Sequence, residues 1–387
     1  MKRVLILGAR APVALDLARR FFAAGHRVFV ADSLRFPGAR PSRAVSKFFL
    51  LPRPRTAPST FAARLYALCR DHRIDVLIPT CEEVFYVARF LDDFPPGVVF
   101  ADRFEKLAGL HNKQSFYDQV RSFASAETGM VPETRSLGAS LTPADLEPSE
   151  NWVFKPTYSR FASETLVSPN EQALASIDYR KRPWIAQRRV FGTEYSTYGV
   201  AYRGRLLAHA AYRSEYRVDR GSGVLFRNVS QRKTTIQRFV ERFVTETNYT
   251  GQLGFDCIES PGGQLYVLEC NPRATSGLHL FPVDGRLAHA FLAPETIERP
   301  LVADGPDHML AFAMAFIDEV QRRKLRAWPH IARDMWRTKD VIFSWRDPGP
   351  TLGLGLALSE ILWIAGRTGR SLTSASTFDI EFDGQPL

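Results

Sequence analysis

Two short runs separated by a turn constrain this chain most. Gly254-Phe-Asp256-Cys-Ile and Tyr266-Val-Leu-Glu269-Cys-Asn271-Pro-Arg273 are apolar and strand-like, and Ser260-Pro-Gly-Gly263 between them carries turn chemistry. The pattern predicts a β-hairpin with one carboxylate on each strand, Asp256 and Glu269. Side chains alternate along a strand, so Glu269, Asn271 and Arg273 share a face, while Cys257 and Cys270 are expected on the opposite, buried one. Two carboxylates and an amide oxygen suit Mg²⁺ or Mn²⁺, and the neighbouring guanidinium is placed to hold an anion or a developing oxyanion. Read alone, the same residues also describe a solvated acidic hairpin with a surface Arg.

The 387 residues are enough for two or three domains, and the hydrophobic (45%) and charged (24%) contents exclude disordered and fibrous classes. A net charge of +10 raises nucleic acid as a partner, but only nine of the 51 basic residues are Lys and the Arg are scattered. That is not the basic stripe a nucleic-acid binder shows, and a basic cleft for phosphate-bearing ligands fits better. The four cysteines show no CxxC spacing, so neither a zinc site nor a disulfide framework is expected, and a reducing, cytoplasmic setting is. Arg10 and Asp16 interrupt what superficially resembles a signal peptide. The apolar run Leu352 to Ala365 contains Glu360 and reads as too short to span a bilayer. It is expected to be a buried helix or an oligomer contact; a homodimer is one assembly it allows, and a membrane is not an expected partner.

In chain order, a strand from Arg3 to Gly8, a helix from about Pro12 to Ala24 and a strand from Arg27 to Ala31 form a βαβ unit. Arg10 and Val13 stand where a dinucleotide fingerprint needs its second and third glycines, so a nicotinamide enzyme using Asp32 on the ribose is disfavoured. A helix from Thr60 to His72 leads to the strand Asp75 to Pro79. Its polar turn puts Glu82 and Glu83 at the carboxyl edge of the sheet, where such sheets bind ligands. Val98 to Ala101 is a further strand. Strands follow at Trp152 to Pro156, Trp184 to Val190 and Glu194 to Tyr202, the last turning at Arg203-Gly204 and returning to Ala211. Arg213 to Ser230 reads as a mobile loop carrying Arg213, Arg217, Arg220 and Arg227, the expected contact for an acidic substrate. Helices are expected at Thr235 to Thr247 and Met309 to Arg323, with an amphipathic stretch to Trp336. His279 is either packed or lining an acceptor pocket.

Taken together, Lys113, Lys155, Gln187-Arg188-x-Val190, Glu194, Asp256, Glu269, Asn271 and Arg273 resemble the site pattern of the ATP-grasp superfamily, which includes biotin carboxylase, D-alanine–D-alanine ligase and the carbamoyl phosphate synthetase large chain. The resemblance covers about residues 1 to 300. It implies an α/β and α+β fold with a Rossmann-like pre-ATP-grasp domain (1–108), a small ATP-grasp lobe (109–186), a large lobe with the metal site (187–303) and a C-terminal mixed extension (304–387). It also implies roles. Lys113 and Lys155 reach the α- and β-phosphates of ATP; Gln187, Arg188 and Val190 meet the adenine; Glu194 accepts the ribose hydroxyls. Asp256, Glu269 and Asn271, in a D-x(12)-E-x-N spacing, hold Mg²⁺ (or Mn²⁺), and Arg273 holds the substrate carboxylate. The implied reaction joins a small-molecule carboxylate to an amine through an acyl phosphate. One departure is the loop Pro156-Thr-Tyr-Ser-Arg160-Phe-Ala-Ser163, which has no glycine where the family's phosphate loop is glycine-rich. It is the one feature that favours a non-catalytic nucleotide-binding protein on the same fold.

Overall fold

The computed structural model describes residues 1–146, 149–159, 164–218, 222–311 and 328–385. The chain opens with β1 (Arg3–Leu7), α1 (Pro12–Ala23), β2 (Arg27–Asp32), β3 (Lys47–Leu50), α2 (Pro58–Asp71), β4 (Val76–Ile78) and α3 (Glu83–Arg89). The strands pair in parallel in the order β3-β2-β1-β4. Val4 to Leu7 are essentially inaccessible, as expected of strands covered on both faces. The stretch Val98 to Ala101 adds only a single parallel bridge, Leu77 to Val99, in place of the expected strand. Gly8 adopts φ +70°, and a Cβ there would lie 2.6 Å from Thr80 Oγ1. The turn therefore needs glycine both for its backbone and for space.

The crevice at the carboxyl edge of this sheet is filled from within the chain. Arg10 lies 2.6 Å from Asp32 and 2.6 Å from Asp379, so Asp32 is engaged in an ionic triad and not exposed to a ribose. Phe382 stacks on Phe85 at 4.7 Å, and its N–H donates to Glu82 Oε2 at 3.0 Å. The chain's last described residues thus strap across the carboxyl edge of the first sheet.

Helices α4 (Phe104–His111) and α5 (Lys113–Val120) lead into a second, antiparallel sheet of order β5-β8-β6-β7, built from β5 (Thr134–Ser136), β6 (Trp152–Pro156), β7 (Leu166–Val167) and β8 (Trp184–Arg188), with α6 (Glu171–Ala175) beside it. Asn112 caps α5, its side chain accepting from the N–H groups of Gln114 and Ser115. The large sheet holds β9 (Thr193–Tyr202), β10 (Arg205–Val218), β11 (Ser222–Asn228), β12 (Gly251–Glu259), β13 (Leu265–Asn271), β14 (Leu301–Val302), β15 (His308–Met309) and β16 (Lys339–Asp340). Helix α7 (Thr234–Thr247) covers one face. Its Ile236, Phe239, Val240, Phe243 and Val244 recur at three- and four-residue spacing, and all are buried. Phe239 and Phe243 meet Phe255 of β12 at 5.2 and 4.8 Å, fixing the back of the hairpin. Cys257 and Cys270 lie on this buried side, and none of the four cysteines is in a disulfide.

Helix α8 (Arg286–Leu292) packs against α1, and α9 (Trp328–Arg337), α10 (Gly349–Thr368) and α11 (Leu372–Ala375) complete the described chain. Two expectations change, and a third falls largely outside the described residues. Arg213 to Ser230 is mostly paired strand, β10 against β11, because the alternation of that run satisfies its backbone in a ladder. Arg220 lies outside the described residues. Second, the apolar run near Leu352 sits in α10, which at 20 residues is long and apolar enough, by length and composition, to cross a membrane. It is not buried, since Leu352 is 81% exposed and Trp363 58%. Third, the helix expected at Met309 to Arg323 falls largely outside the described residues, and Met309 itself belongs to β15.

Candidate active site

The hairpin forms as expected. In β12 and β13, Asp256 pairs directly with Glu269, with a bulge just after Asp256, and the turn closes through Gly263 N–H to Ser260 O at 2.8 Å. The register continues across two more strands. Ser196 of β9 is opposite Asp256, and Tyr212 of β10 is opposite Ser196. Tyr212, Ser196, Asp256 and Glu269 therefore form one cross-strand row. Ser196 Oγ donates to Asp256 Oδ1 at 2.7 Å. Thr275 folds back to donate to Thr197 O at 2.6 Å, an approach allowed because residue 254 is glycine: a Cβ there would lie 2.4 Å from the Thr275 methyl.

Asn271 and Arg273 join the row from the end of β13. Asn271 Nδ2 donates to Asp256 Oδ2 at 3.1 Å, and its Oδ1 accepts from Arg273 Nη2 at 3.0 Å. Arg273 Nε lies 3.7 Å from the buried Oε1 of Glu82. From the other side come two buried ammoniums. Lys113, at the first turn of α5, lies 3.4 Å from Glu269 Oε2 and donates to Ser159 O at 3.2 Å. Lys155, on β6, lies 4.0 Å from the same carboxylate oxygen.

These contacts set the charge states. Burial and the charge of Glu269 raise the Asp256 carboxyl above its ordinary range, despite the hydrogen bond from Ser196. Burial would raise Glu269 as well, but Lys113 and Lys155 outweigh it and hold it below the usual carboxylate range. Burial pulls Lys155 down to about 8, against the attraction of Glu269 and with the repulsion of Lys113. Tyr212 is pushed up to about 12 by burial and by Asp256, so it stands as a neutral hydroxyl.

The residues expected at the adenine end differ in exposure and in their partners. Gln187 on β8 is buried, its Nε2 donating to Thr134 Oγ1 at 3.1 Å and Leu268 O at 3.4 Å, which ties the small sheet to β13. Arg188 is exposed and its guanidinium lies over the Trp152 ring at 5.3 Å. The N–H groups of Arg188 and Arg189 are taken by Glu133 O and Asn151 O, so neither is available to an adenine edge. Val190 is half-buried, and Glu194 is exposed on β9, two residues before Ser196 and so on the same face. Of the loop after β6, Arg160 and Ser163 lie outside the described residues.

His279 is buried against Asp16 of α1 at 2.8 Å, which makes it a packed residue and not part of this cluster. Arg227 is held by Glu215, Asp307 and Asp334, leaving it no charge to offer a substrate. Sequence reasoning missed Ser196 and Tyr212. Ser196 was signalled by its two-residue spacing from Glu194, whereas nothing local marks Tyr212. Among the described residues no three His, Cys, Asp or Glu side chains form a metal cluster; the donors here are two carboxylates and one amide. A groove of about 790 Å³ lined by His26, Arg286 and His289 shares no residue with this row.

Residues 122–277 match the model of a family described as the ATP-grasp domain. Among solved structures, the chain is similar to a phosphoribosylamine–glycine ligase from Thermotoga maritima, at 16% identity and TM-score 0.58, covering 79% of this chain and 78% of that one. It is also similar to an L-amino acid ligase from Bacillus licheniformis, at 14% identity and TM-score 0.56, covering 77% of each. A third is the biotin carboxylase domain dimer of a Hydrogenobacter thermophilus 2-oxoglutarate carboxylase, solved with MgADP, ADP and bicarbonate, at 14% identity and TM-score 0.57, covering 79% and 73%. No curated protein matches the sequence.

Proposed function

The chain carries an ATP-grasp domain across residues 122–277 and has the ATP-grasp fold, and from that premise we propose that it is an ATP-dependent ligase joining a small-molecule carboxylate to an amine. The observation that carries this reading is the convergence of Lys113 and Lys155 on Glu269, beside the row Tyr212, Ser196, Asp256 and Glu269. Two buried ammoniums clustered on one carboxylate form a reserve of positive charge for nucleotide phosphates.

The donor set fits a divalent cation. Asp256 and Glu269 stand opposite each other, and burial together with the charge of Glu269 raises the carboxyl of Asp256, a strain that Mg²⁺ would relieve. Asp256, Glu269 and the Asn271 amide would hold it, and it would neutralise charge on the β- and γ-phosphates. Lys113 and Lys155 turn from Glu269 to the phosphates when nucleotide binds. Gln187 and Val190 border the adenine, Arg188 covers the outer edge, and Glu194 faces the ribose. Arg273 holds the substrate carboxylate in line with the γ-phosphorus.

The carboxylate oxygen attacks that phosphorus, the β–γ bridging P–O bond breaks, and ADP departs, leaving an acyl phosphate. An amine then adds to the acyl carbon, the C–O bond to phosphate breaks, and the amine loses a proton, giving an amide and inorganic phosphate. Arg273 steadies the oxyanion in this second step, a type of contribution worth roughly 3–4 kcal/mol. The test is ADP release from Mg-ATP across panels of acids and amines. Glu269→Ala and Lys155→Ala should each remove nucleotide-dependent thermal stabilisation along with turnover. Retention of both by either variant would overturn the assignment.

A further inference from the structure

Helix α10 presents an outer face that no described part of the chain covers. Leu352, Leu356, Leu362 and Trp363 are 81, 56, 50 and 58% exposed. Between Gly349 and Gly366 the only charged residue is Glu360. It turns inward, accepting the backbone N–H groups of Arg35 and Phe36 at 2.9 and 2.8 Å. The inner side is firmly seated: Ile364 packs with Leu34 and Ala375, and a Cβ added at Gly349 would lie 2.1 Å from Pro41 O. A surface helix ordinarily turns its polar side to water; here the acid faces the protein and the leucines face out.

The surroundings of this face have one sign of charge. Residues 33–53, on which α10 rests, contain no Asp or Glu. They expose Arg35, Arg40, Arg43, Lys47 and Arg53, and Arg367 and Arg370 follow at the far end of the helix. Among the described residues none of these side chains is in an ion pair. Trp363 and Phe36 border a groove of about 720 Å³ that Arg53 also lines.

We propose that this face docks on an anionic lipid surface, with α10 lying in the plane of the headgroups. An apolar stripe rimmed by cations and carrying a Trp is the chemistry such a surface recognises. A twofold contact with a second copy would set the same cationic rim against itself, whereas anionic headgroups neutralise it. Lying on the surface, and not crossing it, follows from the anchors at both ends. Asp347 before the helix bonds Arg19, Ser42 and Arg43 N–H, and Asp379 after it pairs with Arg10, so both ends return to the same domain.

The experiment is flotation of the full chain with vesicles of phosphatidylcholine alone or mixed with phosphatidylglycerol, beside light scattering without lipid. The chain should float only with the anionic vesicles and be released near 1 M salt, where the Debye length falls to about 3 Å. Leu356→Glu with Trp363→Glu should abolish flotation. Arg35→Glu with Arg40→Glu should weaken it by roughly tenfold or more. Thermal melting curves check that these exposed-face variants fold, and the salt release of the unsubstituted chain reads the same property without any variant. Failure to float with anionic vesicles, equal binding to neutral ones, or binding that the folded variants retain would overturn the proposal. A dimer that the Leu356 and Trp363 substitutions split would overturn it in favour of a second copy.

Discussion

Arg273 and Glu82 meet across two sheets: the Arg273 Nε at the end of β13 lies 3.7 Å from a Glu82 oxygen at the carboxyl edge of the first sheet. Glu82 has no exposed surface, and its other oxygen accepts the N–H of Phe382 from the C-terminal strap. The guanidinium proposed to hold the substrate is thus itself aimed by Glu82, at the edge of the first sheet, and through it by the segment that carries Phe382.

Removing Arg273 should cost both activity and stability, for separable reasons. Arg273→Ala should lower turnover by roughly 10²–10³-fold. It should also lower the melting temperature, because it removes an ion-pair partner of the buried Glu82. Adding Glu82→Gln removes the charge that Arg273 balanced, so the double variant should regain stability but not turnover. Melting curves read beside ADP release distinguish the two effects; turnover that returned with stability would leave Arg273 a structural role only.

The pH dependence of Lys155 has two opposite signs. Its ammonium is held down to about 8, chiefly by burial, so the folded chain sheds this proton before the unfolded one does. Between that pH and the ordinary Lys value of about 10.4 the unfolded state binds more protons, and the contribution of this group to stability rises with pH. Nucleotide affinity should fall over the same interval, because a neutral amine does not attract phosphate. Melts without nucleotide and ATP titrations from neutral to alkaline pH check both slopes, and Lys155→Met should flatten both.

Asp16 on α1 lies 3.0 Å from Arg20 and 2.8 Å from His279, which sits in the turn Ser276–Leu280 packed against the large sheet. Burial opposes its ionisation, but Arg20 and His279 hold its pKa well below the usual carboxylate range. A carboxyl lowered in the folded state stabilises above its unfolded pKa, about 3.9, and that stability is lost as pH falls below it. Asp16→Ala leaves a buried guanidinium unpaired and should cost roughly 3–5 kcal/mol in denaturant melts at neutral pH. It should also weaken the acid dependence; a melt unchanged by the substitution would remove Asp16 from the account of stability.

Arg227 should behave as a brace and not as a substrate contact. Its three carboxylate partners lie at 3.0, 3.2 and 2.7 Å, and the side chain is 29% exposed. Arg227→Ala is expected to cost on the order of 1 kcal/mol, given partial screening by solvent. KM for the acid should stay unchanged. A several-fold rise in that KM with the melt unaffected would restore the substrate role read from the sequence.

What the sequence determined by itself was local. Period-two alternation and turn residues placed Asp256 and Glu269 on facing strands, and the helices expected at Pro12–Ala24, Thr60–His72 and Thr235–Thr247 lie within a few residues of the observed bounds of α1, α2 and α7. The missing glycines after Gly8 argue against a dinucleotide fingerprint, but nothing local shows that Arg10, Asp32 and Asp379 meet in an ionic triad there. Arg213 to Ser230 was misread because its charges and glycines resemble loop chemistry, while its ladder partners come from both sides in the folded sheet. Tyr212 enters the row only through the register of β9 and β10, and Glu82 meets Arg273 across nearly two hundred residues of chain. The outer face of α10 was equally illegible, since a run of leucines reads as buried until packing shows which side the protein takes. Periodicity along a strand or helix is written in neighbouring residues. Which element lies opposite, and so which charges share a buried space, is set by long-range packing that local patterns do not encode.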